Sequence, residues 1–189
     1  MTTGKFFRLT ADPSAISRWY LGGPIDASGT AVDPRSFTQG VRTTSSAALT
    51  IPLRRQGEQI DFNFGDFDMI VTPAELNAEL GDLVGETIQR IPVRIGECDG
   101  KFEILNVLDL VDCFDEAASQ FTRWIDADGR SDKLGEYRMI TRLRIDAAAA
   151  SGHHLFRLRA WPIALIGSKT VKDMLQHRRV SGLKFDPVV

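Results

Sequence analysis

The chain has 189 residues, 43% of them hydrophobic and 25% charged, which are the proportions of a globular protein with a substantial core. Its 23 basic and 25 acidic residues leave a net charge of −2, which argues against a dedicated nucleic-acid-binding protein because such proteins carry a clear basic excess. No apolar run reaches the roughly 20 residues that cross a bilayer, and the first residues lack the apolar stretch of a signal peptide. We therefore expect a cytoplasmic protein with no membrane or nucleic-acid partner.

The N-terminal part of the chain predicts one early strand, a long loop-rich stretch and one helix. Lys5–Leu9 predicts the strand, and Gly and Pro punctuate residues 10–48. Thr72-Pro73-Ala74-Glu75 matches a capping box, in which the Thr72 hydroxyl accepts from the Glu75 N–H. A helix is expected to follow from the spacing of Leu76, Leu80, Leu83 and Val84, and Gly85 is expected to end it.

The middle of the chain predicts a hairpin followed by a short helix. Arg90–Ile95 and Phe102–Leu108 predict its two strands, because Asp99-Gly100 between them is a strong turn signal. Asp112–Phe121 predicts the helix, with Asp112 as its cap and further acidic residues at its positive end.

Two alternating segments near the C-terminus predict strands with one packed face and one wet face. In Arg138–Asp146, the packed face would hold Met139, Thr141, Leu143 and Ile145. In His154–Ala160, Phe156 is expected in the core, and Arg157 belongs to the opposite face. Ser168 is expected to cap a last helix.

These elements predict an α+β fold with a mainly antiparallel sheet and a few packed helices. No βαβ rhythm and no internal repeat is present. We expect one domain over residues 1–189, in which a loop-rich N-terminal lobe (1–88) precedes a better-defined C-terminal part (89–189).

The sequence predicts no catalytic residues, no cofactor and no metal. Asp126-Ala127-Asp128-Gly129 resembles the start of a calcium loop, but Arg130, Ser131 and Tyr137 stand where an EF-hand needs a ligand, Gly and Glu. The nucleophile elbow and the phosphate-binding loop are both absent from the sequence. Cys98 and Cys113 predict neither a disulfide framework nor a zinc site.

One acidic cluster stands out, formed by Asp109, Asp112, Asp115 and Glu116. Three interpretations stay open: a divalent-metal or hydrolytic carboxylate site, capping of the predicted helix, and a docking surface for a basic partner. Capping is favoured because it needs no further assumption. The late arginines, Arg138, Arg142, Arg144, Arg157 and Arg159, are interpreted as pairing with carboxylates on a wet sheet face.

Several short patterns occur in a characteristic order. They are Trp19-Tyr20-Leu21-Gly22, Gly57 with Asp61-Phe62, Ile91-Pro92-Val93, Ile104-Leu105-Asn106-Val107, Val111-Asp112-Cys113-Phe114-Asp115-Glu116 with Ser119, Leu155-Phe156-Arg157-Leu158, and Gly182-Leu183-Lys184-Phe185-Asp186-Pro187-Val188. In these the chain resembles a family of bacterial immunity proteins encoded beside polymorphic toxins. The resemblance implies an α+β domain that binds and silences a cognate toxin, and it brings no catalytic residues.

We therefore expect an antitoxin that acts by covering a surface of its toxin. Acidic side chains would suit a basic toxin, and the candidate partner-binding residues are Asp66, Asp68, Asp109, Asp112, Asp115 and Glu116. Two alternatives remain: a metal-dependent hydrolase with scattered carboxylates, which requires a pocket of convergent titratable groups, and a non-catalytic interaction module of a secretion system. The sequence leaves a homodimer open.

Overall fold

A computed structural model describes residues 6–44 and 48–189 of the chain. The described residues form fourteen strands and two helices. The strands are β1 (Phe6–Ala11), β2 (Tyr20–Leu21), β3 (Leu49–Ile51), β4 (Leu53–Arg55), β5 (Asn63–Phe64), β6 (Ile70–Pro73), β7 (Ile88–Ile95), β8 (Phe102–Val107), β9 (Leu110–Val111), β10 (Gln120–Arg123), β11 (Tyr137–Arg142), β12 (Leu155–Leu158), β13 (Trp161–Ser168) and β14 (Leu183–Pro187). The helices are α1 (Ala74–Val84) and α2 (Lys169–His177). The predicted first strand is present as β1, and Lys5 lies outside the described residues.

Two five-stranded sheets organise the fold. The first has the strand order β14-β1-β13-β12-β9, and the second has the order β3-β7-β8-β6-β5. Two further pairs, β2 with β4 and β10 with β11, form short ribbons. The pairings of β3 with β7 and of β9 with β12 are parallel, and the others within the described ranges are antiparallel. The α+β class is confirmed, and the sheets are mixed.

The predicted hairpin strands are confirmed as the pair β7–β8, in which pairing runs from Val93 opposite Phe102 to Ile88 opposite Val107. The predicted turn is misplaced: the Cys98 N–H donates to Ile95 O, so the hydrogen-bonded turn spans residues 95–98, and Asp99-Gly100 follows it. All six side chains of β8 are buried. β8 has this pattern because β7 and β6 flank it in the sheet and both of its faces are packed.

An apolar cluster joins the two sheets and both helices. It contains Leu165 of the first sheet, Leu105 of the second, Leu80 of α1 and Leu175 of α2. Burial of such side chains is the main favourable contribution to folding. Both sheets take strands from before and after residue 88. The domain organisation stays a prediction.

The predicted capping box at the start of α1 is wrong. Thr72 lies in β6 opposite Glu103, and its hydroxyl donates to Asn77 Oδ1 at 2.6 Å. Helix α1 begins at Ala74 without a side-chain cap. The sheet pairing holds Thr72 in an extended conformation, and its hydroxyl therefore joins a buried polar network through Asn77 to Glu103.

The predicted helix over Asp112–Phe121 is also wrong. The segment continues from β9 through an isolated bridge between Phe114 and Ile145, turns, and enters β10. Asp112 is exposed and caps nothing, whereas Asp115 Oδ1 accepts from the Ala118 N–H at 3.0 Å. Pairing with residues 137–145 holds this segment extended, and a sequence window cannot show such a distant partner.

In β11 the buried side chain is not one of those predicted to be packed. Met139 is 53% exposed, whereas its neighbour Ile140 is 3% exposed. The pairing of β11 with β10 is irregular at two points, and each irregularity shifts the register of the alternating side chains. Leu143 and Ile145, just beyond the strand, are buried as predicted.

Strand β12 has no wet face, contrary to the prediction. All four of its side chains are buried, including Phe156 and Arg157 at 0% exposure each. Leu155 packs in the apolar cluster that joins the two sheets, whereas Phe156 and Leu158 pack in a second apolar cluster, so both faces of β12 are packed. Phe156 is a core residue as predicted, whereas Arg157 is not part of an exposed basic stripe. The predicted cap of the last helix is confirmed, because Ser168 Oγ accepts from the Val171 N–H.

Candidate interaction site: a basic and aromatic cleft

A cleft of about 920 Å³ lies where three parts of the chain meet. One wall contains Arg35 and Phe67, from loops of the N-terminal part. The second wall is the connection between β10 and β11, including Trp124. The third wall is the turn between β12 and β13 with the first residues of β13, among them Arg159 and Ile163. We call the space between these walls the cleft.

Cationic side chains outnumber anionic ones in the lining of the cleft. The cations are Arg35, Arg123, Arg130, Lys133, Arg138 and Arg159, and the anions are Asp68 and Glu136. Four of the cations form ion pairs with carboxylates outside the lining: Arg35 with Asp33, Arg123 with Glu116, Arg130 with Asp132, and Arg138 with Asp128. Lys133 and Arg159 form no ion pair with any residue that the structure describes. The lining is therefore positive, and the carboxylates that pair with it lie outside the lining.

Aromatic rings hold several of these cations in place. The guanidinium carbon of Arg35 lies 3.8 Å from the ring centroid of Phe67, and that of Arg138 lies 4.8 Å from the ring of Trp124. Lys133 Nζ lies 5.7 Å from the same Trp124 ring. Exposed contacts of this kind contribute about 0.5–1 kcal/mol each. They also limit the freedom of long side chains that a binding partner would otherwise have to order.

The turn that presents Phe67 is strained. Phe67 and Asp68 have positive φ values of 54° and 58°. A left-handed conformation costs a residue with a side chain roughly 1–2 kcal/mol. The turn is held from both sides, by a hydrogen bond from Gly65 N to Met69 O and by one from Arg157 Nη2 to Asp68 O. As a result, the Phe67 side chain stays at the surface, 54% exposed.

Arg157 places a buried positive charge behind the cleft. Its Nη1 donates to Pro162 O at 2.7 Å, and its Nη2 donates to Asp68 O at 2.9 Å. Its Nε has no hydrogen-bond partner within the described part of the chain. Burial lowers the pKa of Arg157 to about 10, which leaves it protonated at neutral pH. Burial also raises the pKa of the Asp68 carboxyl, and the charges of Arg157 and Arg8 oppose that shift.

Two of the six predicted partner-binding carboxylates lie at the cleft. Asp68 is in its lining. Glu116 lies at its edge, where it accepts from Arg123 at 3.1 Å and from the Tyr137 hydroxyl at 2.7 Å. The hydrogen bonds from Tyr137 and Arg123 lower the pKa of Glu116.

The other four predicted carboxylates lie outside the lining and differ in their contacts. Asp66 pairs with Arg54 at 2.7 Å, and Asp109 Oδ2 lies 2.7 Å from His153 Nδ1. Asp115 holds the turn described above, and Asp112 is exposed. Their contact with a partner stays a prediction.

The sequence did not predict the cleft. One signal was present, because two aromatic and four basic residues that line the cleft fall between positions 123 and 138. Arg35 and Phe67 carry no such signal, since they join the cleft only through tertiary packing.

The described ranges hold no group of three or more His, Cys, Asp or Glu side chains placed to bind a metal. Neither helix in these ranges has the length and apolarity that a membrane span requires.

Comparison with known protein families relates part of this chain to one of them. The model of an immunity protein family (Imm11) matches residues 96–189, and no curated protein matches the chain at a significant level. The matched segment includes two walls of the cleft, whereas Arg35 and Phe67 lie outside it. The resemblance to an immunity protein family is thereby confirmed: residues 96–189, just under half of the chain, are similar to the immunity protein family Imm11.

Proposed function

We propose that this protein is an immunity protein that binds a cognate toxin and neutralises it by covering a surface on which the toxin depends. The observation that carries the proposal is the family match over residues 96–189. The proposed action is non-enzymatic, since the resemblance brings no catalytic residues. We place it in the bacterial cytoplasm, as expected from a sequence without the apolar stretch of a signal peptide.

The composition of the cleft supports this function. Its lining contains two tryptophans, one tyrosine and five arginines. Trp, Tyr and Arg are the residue types in which the binding energy of protein interfaces is concentrated. A cleft lined by them is suited to anchoring a few side chains of a protein partner.

Exposed apolar side chains around the cleft also support it. Five of the nine large hydrophobic residues that are exposed in the described ranges line the cleft or lie in the adjoining segment 120–142. These five are Phe67, Ile125, Leu134, Met139 and Ile163. A stable interface needs about 800 Å² per partner, and apolar side chains around a polar cleft would extend the contact beyond the cleft itself.

The blockade would be steric. A partner seated in the cleft would also meet the β10–β11 ribbon, and the toxin surface beneath it would be closed to substrate or to other proteins. No reaction at the cleft is required. Specificity would come from the fit of charges and apolar anchors.

Co-expression with a toxin encoded beside this gene tests the proposal. We expect growth to be restored and a stable complex to co-elute in size-exclusion chromatography. A toxin variant that is inactive but folded should form the same complex, which separates binding from rescue. If the wild-type protein neither binds nor protects, the proposed function is wrong.

A further inference from the structure

We propose that the cleft receives an acidic segment of the partner, whose carboxylates bind Arg159 and Lys133 while an apolar side chain of the same segment packs against Phe67 and Ile163. This inference rests on the proposed function, because it specifies the chemistry of the toxin surface that is covered.

Arg159 and Lys133 are the cations of the lining that have spare capacity. Arg159 is exposed, and its Nη2 donates a hydrogen bond to Leu110 O at 3.0 Å. A guanidinium carries five N–H donors in a planar fork that matches a carboxylate. Lys133 is half-buried and lies beside the Trp124 ring. Both cations can therefore bind a carboxylate of the partner without breaking an existing ion pair.

The other cations of the lining are already held in position. Arg35, Arg123 and Arg138 are each stacked on a ring and each paired with a carboxylate outside the cleft. Their charges favour approach of an anionic segment, and little side-chain freedom is lost when it binds. The buried charge of Arg157 adds to the same positive potential.

An apolar anchor site lies at the same cleft. Phe67 is 54% exposed on its strained turn, and Ile163 is 43% exposed at the start of β13. Strained conformations persist where surrounding contacts hold them, and they occur preferentially at binding sites. An apolar side chain of the partner placed here would complete the pattern of a buried anchor surrounded by charges.

A single-stranded nucleic acid fits the cleft less well than an acidic protein segment. Base stacking needs free ring faces, whereas Arg123 lies over Tyr137 and Arg138 lies over Trp124. A base would have to displace these cations. The family match also points to a protein partner.

The first test measures the toxin complex with charge-reversal variants. We expect the double variant Arg159→Glu with Lys133→Glu to weaken the complex by at least about tenfold, and its affinity to depend less on salt than that of the wild type. Arg94→Glu with Lys101→Glu is the matched control, because it makes the same change in net charge at two exposed cations outside the lining. An equal loss with this control would mean that overall charge, and not the cleft, governs binding, and it would overturn the cleft proposal.

Phe67→Gly tests the apolar anchor without changing the charge of the cleft. Glycine tolerates the left-handed φ, so we expect thermal stability to be kept or raised while binding weakens at least about fivefold through loss of the anchor. Full binding by this variant would remove the apolar part of the proposal.

The second test identifies the bound segment with an array of overlapping peptides that covers the toxin. We expect the wild-type protein to retain acidic peptides, and replacement of their Asp and Glu by Asn and Gln to abolish retention. Retention of basic peptides, or displacement of the toxin by a single-stranded oligonucleotide, would overturn the proposal. If the wild type protects cells and the double variant protects equally well, the cleft proposal fails while the immunity function stands.

Discussion

Arg157 Nη2 donates a hydrogen bond of 2.9 Å to the backbone carbonyl of Asp68, a residue 89 positions earlier in the chain. The same guanidinium donates from Nη1 to Pro162 O. One buried side chain therefore fastens two walls of the cleft to each other. It also connects the family-matched segment to a turn outside that segment.

Arg157→Ala is expected to lower the free energy of unfolding by about 3 kcal/mol, because it leaves two carbonyls unpaired and a cavity in β12. Arg157→Lys should also destabilise, since one ammonium replaces a fork that reaches both carbonyls. Urea denaturation measures both. Arg94→Ala, at an exposed arginine, should stay within about 0.5 kcal/mol of the wild type. An unchanged midpoint for Arg157→Ala would mean that Arg157 does not hold the turn.

Asp112→Ala is expected to change stability by less than about 0.5 kcal/mol, because Asp112 is exposed and the structure has no helix for it to cap. Asp115→Ala should cost about 0.5–1.5 kcal/mol, because it removes the acceptor for the Ala118 N–H. Thermal denaturation of the two variants side by side gives the comparison. A larger loss of stability for Asp112→Ala than for Asp115→Ala would support the predicted helix with Asp112 as its cap.

Gly182→Ala is expected to destabilise the protein by about 1–3 kcal/mol. Gly182 has a φ of +88°, and a Cβ there would lie 2.6 Å from Phe62 O. Gly81→Ala is the matched control inside α1, where the nearest atom to an added Cβ is Ile88 Cδ1 at 3.9 Å. It should stabilise by about 0.5–1 kcal/mol, the difference in helix propensity. Chemical denaturation should show that the two variants change the free energy of unfolding in opposite directions. Equal changes would mean that the positive φ and the close contact at Gly182 do not require glycine.

Cys113 is expected to react far more slowly than Cys98 with a thiol reagent at pH 8. Burial, followed by the charges of Asp112, Asp146 and Asp109, raises the pKa of the Cys113 thiol to about 12. In the native protein one thiol, that of Cys98, should therefore react rapidly, and the Cys98→Ser variant should lack this rapid reaction. Fast labelling of Cys98→Ser would show that Cys113 is accessible as thiolate.

The raised pKa of Cys113 also predicts a pH dependence of the stability of the protein. The folded state holds the Cys113 proton more tightly than the unfolded state does, since the ordinary pKa is 9.0. The resulting stabilisation is complete below pH 9 and is lost as the pH rises towards 12. Cys113→Ala should lose less stability over this interval than the wild type, as measured by denaturation at successive pH values.

Elements that depend on adjacent residues could be predicted from the sequence. The β7–β8 pair followed from two apolar runs on either side of a short polar connection, and the start of α2 followed from Ser168, because such strand patterns and caps depend on adjacent residues. Thr72 shows the limit of this reasoning. Its sequence context matches a cap, but pairing with Glu103 places it in a strand. A partner 31 positions away outweighs the three residues that follow it.

Local patterns were thus sufficient to predict the α+β class and the β7–β8 pair, and the order of short patterns along the chain predicted the similarity to an immunity protein family. The cleft was not predictable in the same way, since its walls come from the regions of Arg35, Phe67, Trp124 and Arg159. These regions converge because the two sheets pack through a shared apolar cluster. The burial of Arg157 has the same origin: alternation along β12 marks it as exposed, and only the neighbouring strands and the cleft walls enclose it.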